Sequence, residues 1–177
     1  MASATPVKYT LVARTLHWLI ALGIIGAFAI ALYEDDLKFS LLKIKLINYH
    51  KWVGLTVLLL AIVRVIWRLT HPAPKAPTHM TPWEKGVAHL THGLLYLLMF
   101  CVPLGGWLYS SAKGFPIVLF GVIPFPALID KNEAIAHTIK EWHGFGAWTV
   151  IILASLHALA ALKHHFIDRD DVLKRML

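Results

Sequence analysis

The chain has 177 residues, of which 58% are hydrophobic and only 15% charged. A soluble domain averages about 45–50% apolar and about 25% charged residues. The composition therefore excludes an ordinary soluble globule and points to one compact integral membrane protein, a single unit over residues 1–177. Cys101 is the only cysteine, so an internal disulfide, a cysteine-ligated iron–sulfur cluster and a Cys-x-x-Cys-His haem attachment are all excluded. The net charge of +7 is spread over the flanks of apolar runs, and nucleic acid is not an expected partner.

Four apolar runs are long enough to span a bilayer, which takes about 20 residues each. They are Leu16–Tyr33, Trp52–Leu69, Val87–Tyr109 and Trp142–Leu162. With their flanks the predicted spans cover about 14–33, 50–69, 86–109 and 142–163. The first span is expected to be retained, although Ala27-Phe-Ala29 and Ala29-Ile-Ala31 resemble signal-peptidase sites; cleavage there would discard His17. Between the first two spans, Leu37–Leu46 alternates lysine with apolar residues and reads as a short amphipathic segment lying on the surface. Pro103 is expected to kink the third span. A fifth apolar run, Phe115–Ile129, is interrupted by Pro116, Gly121, Pro124 and Pro126 and reads as an interfacial or re-entrant loop. Trp18, Trp52, Trp67, Trp107 and Trp142 sit near span ends, as an aromatic belt does.

The predicted topology puts the N-terminus, the 70–86 loop and the C-terminal tail on one side, with ten basic residues in or beside them. The opposite side holds seven, Lys38, Lys43, Lys45, Lys51, Lys113, Lys131 and Lys140, and every arginine lies in the first group. Both termini are therefore expected in the cytoplasm.

Histidine carries the functional signal: there are 11 in the chain, and an ionisable residue within an apolar run is costly enough to imply function. His143 and His157 are 14 residues apart in the fourth run. At about 100° and 1.5 Å per residue they return to within roughly 40° of one face, roughly 21 Å apart. One helix face thus presents a histidine near each edge of the bilayer core. The topology matches His17 in depth with His157, and His50 with His143. Bis-histidine ligation saturates a haem iron and suits electron transfer rather than oxygen binding. Gly54, Gly144, Gly146, Gly23 and Gly26 are expected to let a flat macrocycle approach the backbone. Arg64 and Arg68 are candidate propionate partners on the cytoplasmic side, and Lys51 or Lys140 on the outer side. His89 and His92 are candidate competing ligands, propionate partners or proton donors to a quinone; His164 and His165, at the exit of the fourth span, are read as surface residues or as further candidate quinone or proton-donating residues, their ordinary titration range suiting that task. His89 and His92 also share the depth of His17 and His157. His71, His79 and His137 are expected to be loop residues without a ligand role.

The stretches Arg14-Thr-Leu-His17-Trp18, His50-Lys-Trp-Val-Gly54, Arg64-Val-Ile-Trp-Arg68, Gly86-Val-Ala-His89-Leu-Thr-His92-Gly, Trp142-His143-Gly and Leu156-His157-Ala-Leu-Ala-Ala-Leu-Lys-His164-His165 together resemble the bacterial cytochrome b561 family. The resemblance implies an all-α integral membrane four-helix bundle with two b haems stacked across the bilayer. It also implies axial ligands at His17, His50, His143 and His157. Members of that kind either oxidise superoxide at the periplasmic face and reduce ubiquinone, or relay electrons between quinone and a partner dehydrogenase or hydrogenase. The first reading, an oxidoreductase, is expected here, with the lipid bilayer, quinone, and superoxide or a periplasmic redox partner as what the chain meets. A histidine-based metal-ion transporter is disfavoured, because the span interiors lack acidic residues.

Overall fold

The computed structural model describes residues 8–75, 77 and 80–177. Four long helices dominate them: α1, Leu11–Asp35; α2, Leu41–Thr70; α3, Pro82–Ala112; and α4, Glu133–Phe166. Each starts at a polar residue that satisfies a free backbone N–H of the first turn. Thr10, Ser40 and Asn132 accept from Ala13, Lys43 and Ile135. Thr81 opens α3 with a reciprocal capping box to Glu84, followed by Pro82 at the first helical position. Replacing Thr81 by alanine removes the hydroxyl arm of that box and leaves the backbone N–H of residue 81 on Glu84. It is expected to cost about 1 kcal/mol, read as a lower thermal midpoint in detergent with spectra unchanged.

All four helices are long and apolar enough to cross a membrane. Large apolar side chains such as Leu22, Ile25, Ile66, Leu97 and Ile152 point outward and stay exposed, as they must where lipid replaces water. The packed interior is correspondingly small. Ile20, Val57, Ala61 and Met99 form one cluster joining α1, α2 and α3. Small residues set the close approaches: a Cβ on Gly23 would lie 2.6 Å from Val57 Cγ2, and one on Gly146 2.9 Å from Val102 Cγ2. These two glycines therefore serve helix contact and not macrocycle approach, contrary to the reading from sequence.

The broken run after α3 folds as a lid over one end of the bundle. Val118–Leu119 and Ile123–Pro124 pair antiparallel as strands β1 and β2, a small addition to the all-α reading. Gly121 turns the hairpin at φ +74°, a conformation only glycine adopts freely. Ile117 and Leu119 bury against Leu55 and Leu58 of α2. The Trp52 indole donates to the Val118 carbonyl (2.7 Å), and that of Trp107 to the Pro126 carbonyl (3.0 Å). This end of the molecule is called the hairpin end below.

At the opposite end the tail forms a 3-10 turn, Leu173–Met176, seated against the start of α1. Tyr9 N–H donates to the Arg175 carbonyl (3.1 Å), the Trp18 indole to Met176 (2.8 Å), and Arg175 Nη1 to the Lys75 carbonyl (2.6 Å). The start of α1, the α2–α3 connection and the tail thus share this termini end, as the span count requires. Two sequence expectations are corrected. Residues 41–46 are not a separate surface segment but the first turns of α2, where Ser40 caps the helix early. His137 is not in a loop but in the first turns of α4, exposed. Helix α3 runs on through Pro103. His79 lies outside the described residues.

Candidate functional site

Packing runs from α1 to α2, α2 to α3 and α3 to α4. Across the space between α4 and its non-adjacent neighbours, imidazoles face one another at two levels. At the hairpin end, His50 of α2 and His143 of α4 have ring centroids 5.9 Å apart, at 86°. At the termini end, His17 of α1 and His157 of α4 are 6.2 Å apart, at 77°. Two metal–nitrogen bonds of about 2 Å each, plus half a ring on either side, fill such a separation. The four histidines expected as partners from depth alone are brought together as those two pairs.

The hairpin-end rings are held by the backbone. His50 Nδ1 bonds the Ala27 carbonyl, and His143 Nδ1 the Val102 carbonyl, each at 2.9 Å. A carbonyl only accepts, so each Nδ1 carries the proton and each Nε2 keeps its lone pair, which is the tautomer that ligates a metal. His143 reaches Val102 because Gly105 and Gly106 leave α3 bare beside it. A Cβ on Gly106 would lie 2.9 Å from His143 Cε1. Gly26 and Gly54, near the level of His50, face open space, with nothing within 4 Å of where a Cβ would stand. Gly106 is a positioning residue that the sequence reading missed.

The termini-end pair is built differently. His92 of α3 packs edge-on against His157, centroids 5.1 Å apart. Arg64 of α2 sends Nη1 to the Ala13 carbonyl (2.7 Å) and lies over the Tyr96 ring, and Arg68 follows one turn on. His89 is exposed beside them on α3.

His164 sits seven residues beyond His157, on nearly the same face of α4. Its Nδ1 meets Asp170 Oδ2 at 2.7 Å and Asp168 Oδ2 at 3.1 Å. Lys163 takes the same Asp168 at 2.8 Å, so this carboxylate group is already neutralised. His165 Nδ1 is buried with no hydrogen-bond partner among the described residues. Of the outer lysines, Lys51 reaches the Phe115 carbonyl at 3.4 Å, and Lys140 is exposed one turn before His143. Lys113 binds Glu133 at 2.6 Å, and that carboxylate holds the ammonium above the usual lysine range. His71 stacks on Trp67 at 3.8 Å, a purely structural contact.

Two levels of facing imidazoles on a membrane bundle offer nitrogen donors of the kind a haem iron takes. The family model described as prokaryotic cytochrome b561 matches residues 8–177. The chain belongs to that family. It is 37% identical to cytochrome b561 homolog 2 of Escherichia coli K12, over 98% of this chain and 93% of the relative. It is 30% identical to the probable superoxide oxidase CybB of Yersinia pestis, over 96% of each. It is 31% identical to cytochrome b562 of Cereibacter sphaeroides, over 96% of this chain and 94% of the relative. Cytochromes b561 are helical membrane proteins that bind b-type haem and carry electrons across the membrane, and both statements hold for this family member.

Proposed function

We propose that this chain oxidises superoxide at the periplasmic face of the bacterial inner membrane and reduces ubiquinone, through two b haems held by His50 with His143 and by His17 with His157. The observation that carries the reading is the pair of facing imidazoles at each level, 14 residues apart along α4. His50 with His143 and His17 with His157 would hold the haem, which when bound would supply reversible one-electron chemistry. Each superoxide gives up one electron and leaves as dioxygen; two electrons and two protons turn the quinone into a quinol.

The termini lie in the cytoplasm in this reading, so the hairpin end faces the periplasm. Lys38, Lys43, Lys45, Lys51, Lys113, Lys131 and Lys140 lie there, and local basic charge raises the encounter rate of an anion. Glu34 binds Lys43, and Glu133 binds Lys113 and Lys131, which leaves Lys38, Lys45, Lys51 and Lys140 without a carboxylate partner among the described residues. Arg64 and Arg68 hold propionates at the termini end, Lys51 or Lys140 at the hairpin end. His164, two turns beyond His157 and hydrogen-bonded to two aspartates, is suited to deliver a proton to a quinone. His89, His92 and His165 complete the candidate set. The 30% identical relative named as a probable superoxide oxidase supports the choice of substrate.

Stopped-flow mixing of the oxidised holoprotein with superoxide tests the proposal. Reduced b-type bands are expected to appear faster than spontaneous dismutation, and added ubiquinone to bleach them. Reduction no faster than dismutation, with a dehydrogenase or hydrogenase co-purifying in fixed ratio, would favour the relay role instead.

A further inference from the structure

Beyond both histidine pairs, at the exit of α4, three metal-ligating side chains converge. His164 Nδ1 lies 2.7 Å from Asp170 Oδ2 and 3.1 Å from Asp168 Oδ2. One ligand atom from each of the three residues falls within 4.8 Å of the other two. The chain turns back after α4 to bring the aspartates there. Asp168 N–H donates to the Lys163 carbonyl, Asp170 N–H to that of His164, and Val172 N–H to Asp170 Oδ1. The Asp170 side chain is only 6% exposed and that of His164 12%. A carboxylate buried to that degree needs a cation or a metal beside it.

We propose that His164, Asp168 and Asp170 bind one divalent cation of the zinc class, which ties the tail to α4. Tetrahedral ligands on bonds of about 2.0–2.1 Å stand roughly 3.3 Å apart. The two N···O separations are already within about 0.6 Å of that spacing, so the ion enters with little rearrangement. An imidazole nitrogen selects such an ion over magnesium or calcium, which take oxygen. Nδ1 turns its lone pair to the ion and its proton moves to Nε2. The Lys163 ammonium, 2.8 Å from Asp168 Oδ2, is the competitor. Glu84 stands 3.4 Å from the same ammonium and keeps it paired when the ion takes Asp168. The tail fastened in this way is the one seated on the start of α1, through Tyr9 with Arg175 and Trp18 with Met176. The site is separate from the haem ligands and from the substrates proposed above.

Titration calorimetry of zinc chloride into the purified, chelator-washed holoprotein in detergent tests this. One zinc per chain is expected. Asp168→Asn and His164→Ala should each weaken binding at least about tenfold, the loss that follows even when a group merely orienting a ligand is removed. Lys163→Met removes the competing ammonium and should tighten binding. His137→Ala, an exposed histidine at the start of α4, should leave it unchanged. Tryptic cleavage after Arg169, between the two aspartates and read by mass spectrometry, gives a second measurement: zinc should slow it in the native chain and not in Asp168→Asn. Absent binding, equal affinity in Asp168→Asn, weaker affinity in Lys163→Met, or an Arg169 site that zinc leaves unprotected would each overturn the proposal. Haem content, read by absorbance in the same samples, should not change, so these outcomes are separate from the fate of the two-haem reading.

Discussion

Replacing His157 with alanine is expected to leave one b haem per chain in place of two, and to abolish transfer across the membrane. The loss should be confined to the termini end. His17 faces His157 at 6.2 Å and would retain no partner on α4, while His50 and His143 keep both their mutual distance and their bonds to Ala27 and Val102. Haem content by pyridine haemochrome, with superoxide-driven band reduction, separates the outcomes. The surviving centre should still be reduced from the hairpin side, but quinone reduction should stop. His92 makes the prediction demanding. It lies 5.1 Å from His157 and is an imidazole at that level able to substitute. Retention of two haems in His157→Ala, and their loss in the double variant with His92→Ala, would assign a ligand role to His92 and discard the pairing proposed above.

The bundle and its site differ in how far they could be read from the sequence. Span number and order follow from run length, because a bilayer tolerates no unpaired backbone and so enforces helices of a fixed reach. The four central histidines were legible for a related reason: a polar ring in an apolar helix needs a purpose, and helical periodicity ranks such rings by depth. What remained hidden was set by contacts between helices. The early start of α2 depends on Ser40 accepting from Lys43, which outweighed the alternating lysines as a boundary signal. Gly23 and Gly146 looked like room for a cofactor and proved to be seats for Val57 and Val102, because a glycine's spacing in sequence does not reveal which neighbour its bare face meets. His164 read as an exit residue; its two aspartates arrive from a tail whose fold has no periodic signal. A trace of the Gly105-Gly106 role was present. Two adjacent glycines inside a helix cost about 1 kcal/mol each against alanine, so their presence asks for a close approach.

That cost makes Gly106→Ala a sharp test of how His143 is held. By propensity alone the substitution should stabilise α3 by up to about 1 kcal/mol. Sterically it cannot be silent, since the new methyl would stand 2.9 Å from His143 Cε1 and 3.3 Å from Nδ1. The ring must retreat from α3, and its Nδ1–H loses the Val102 carbonyl. Loss of such an orienting partner typically weakens metal binding about 10–100-fold. The expected result is therefore a folded, equally or more heat-stable protein whose hairpin-end haem is lost or released by mild competition, with the termini-end haem intact. Gly93→Ala is the matched control, because nothing lies within 4 Å of its Cβ position on the same helix; it should keep both haems. If Gly106→Ala retained full haem content with unchanged spectra, the carbonyl bond at Val102 would not be what orients His143, and the ring would have to be held by its iron alone.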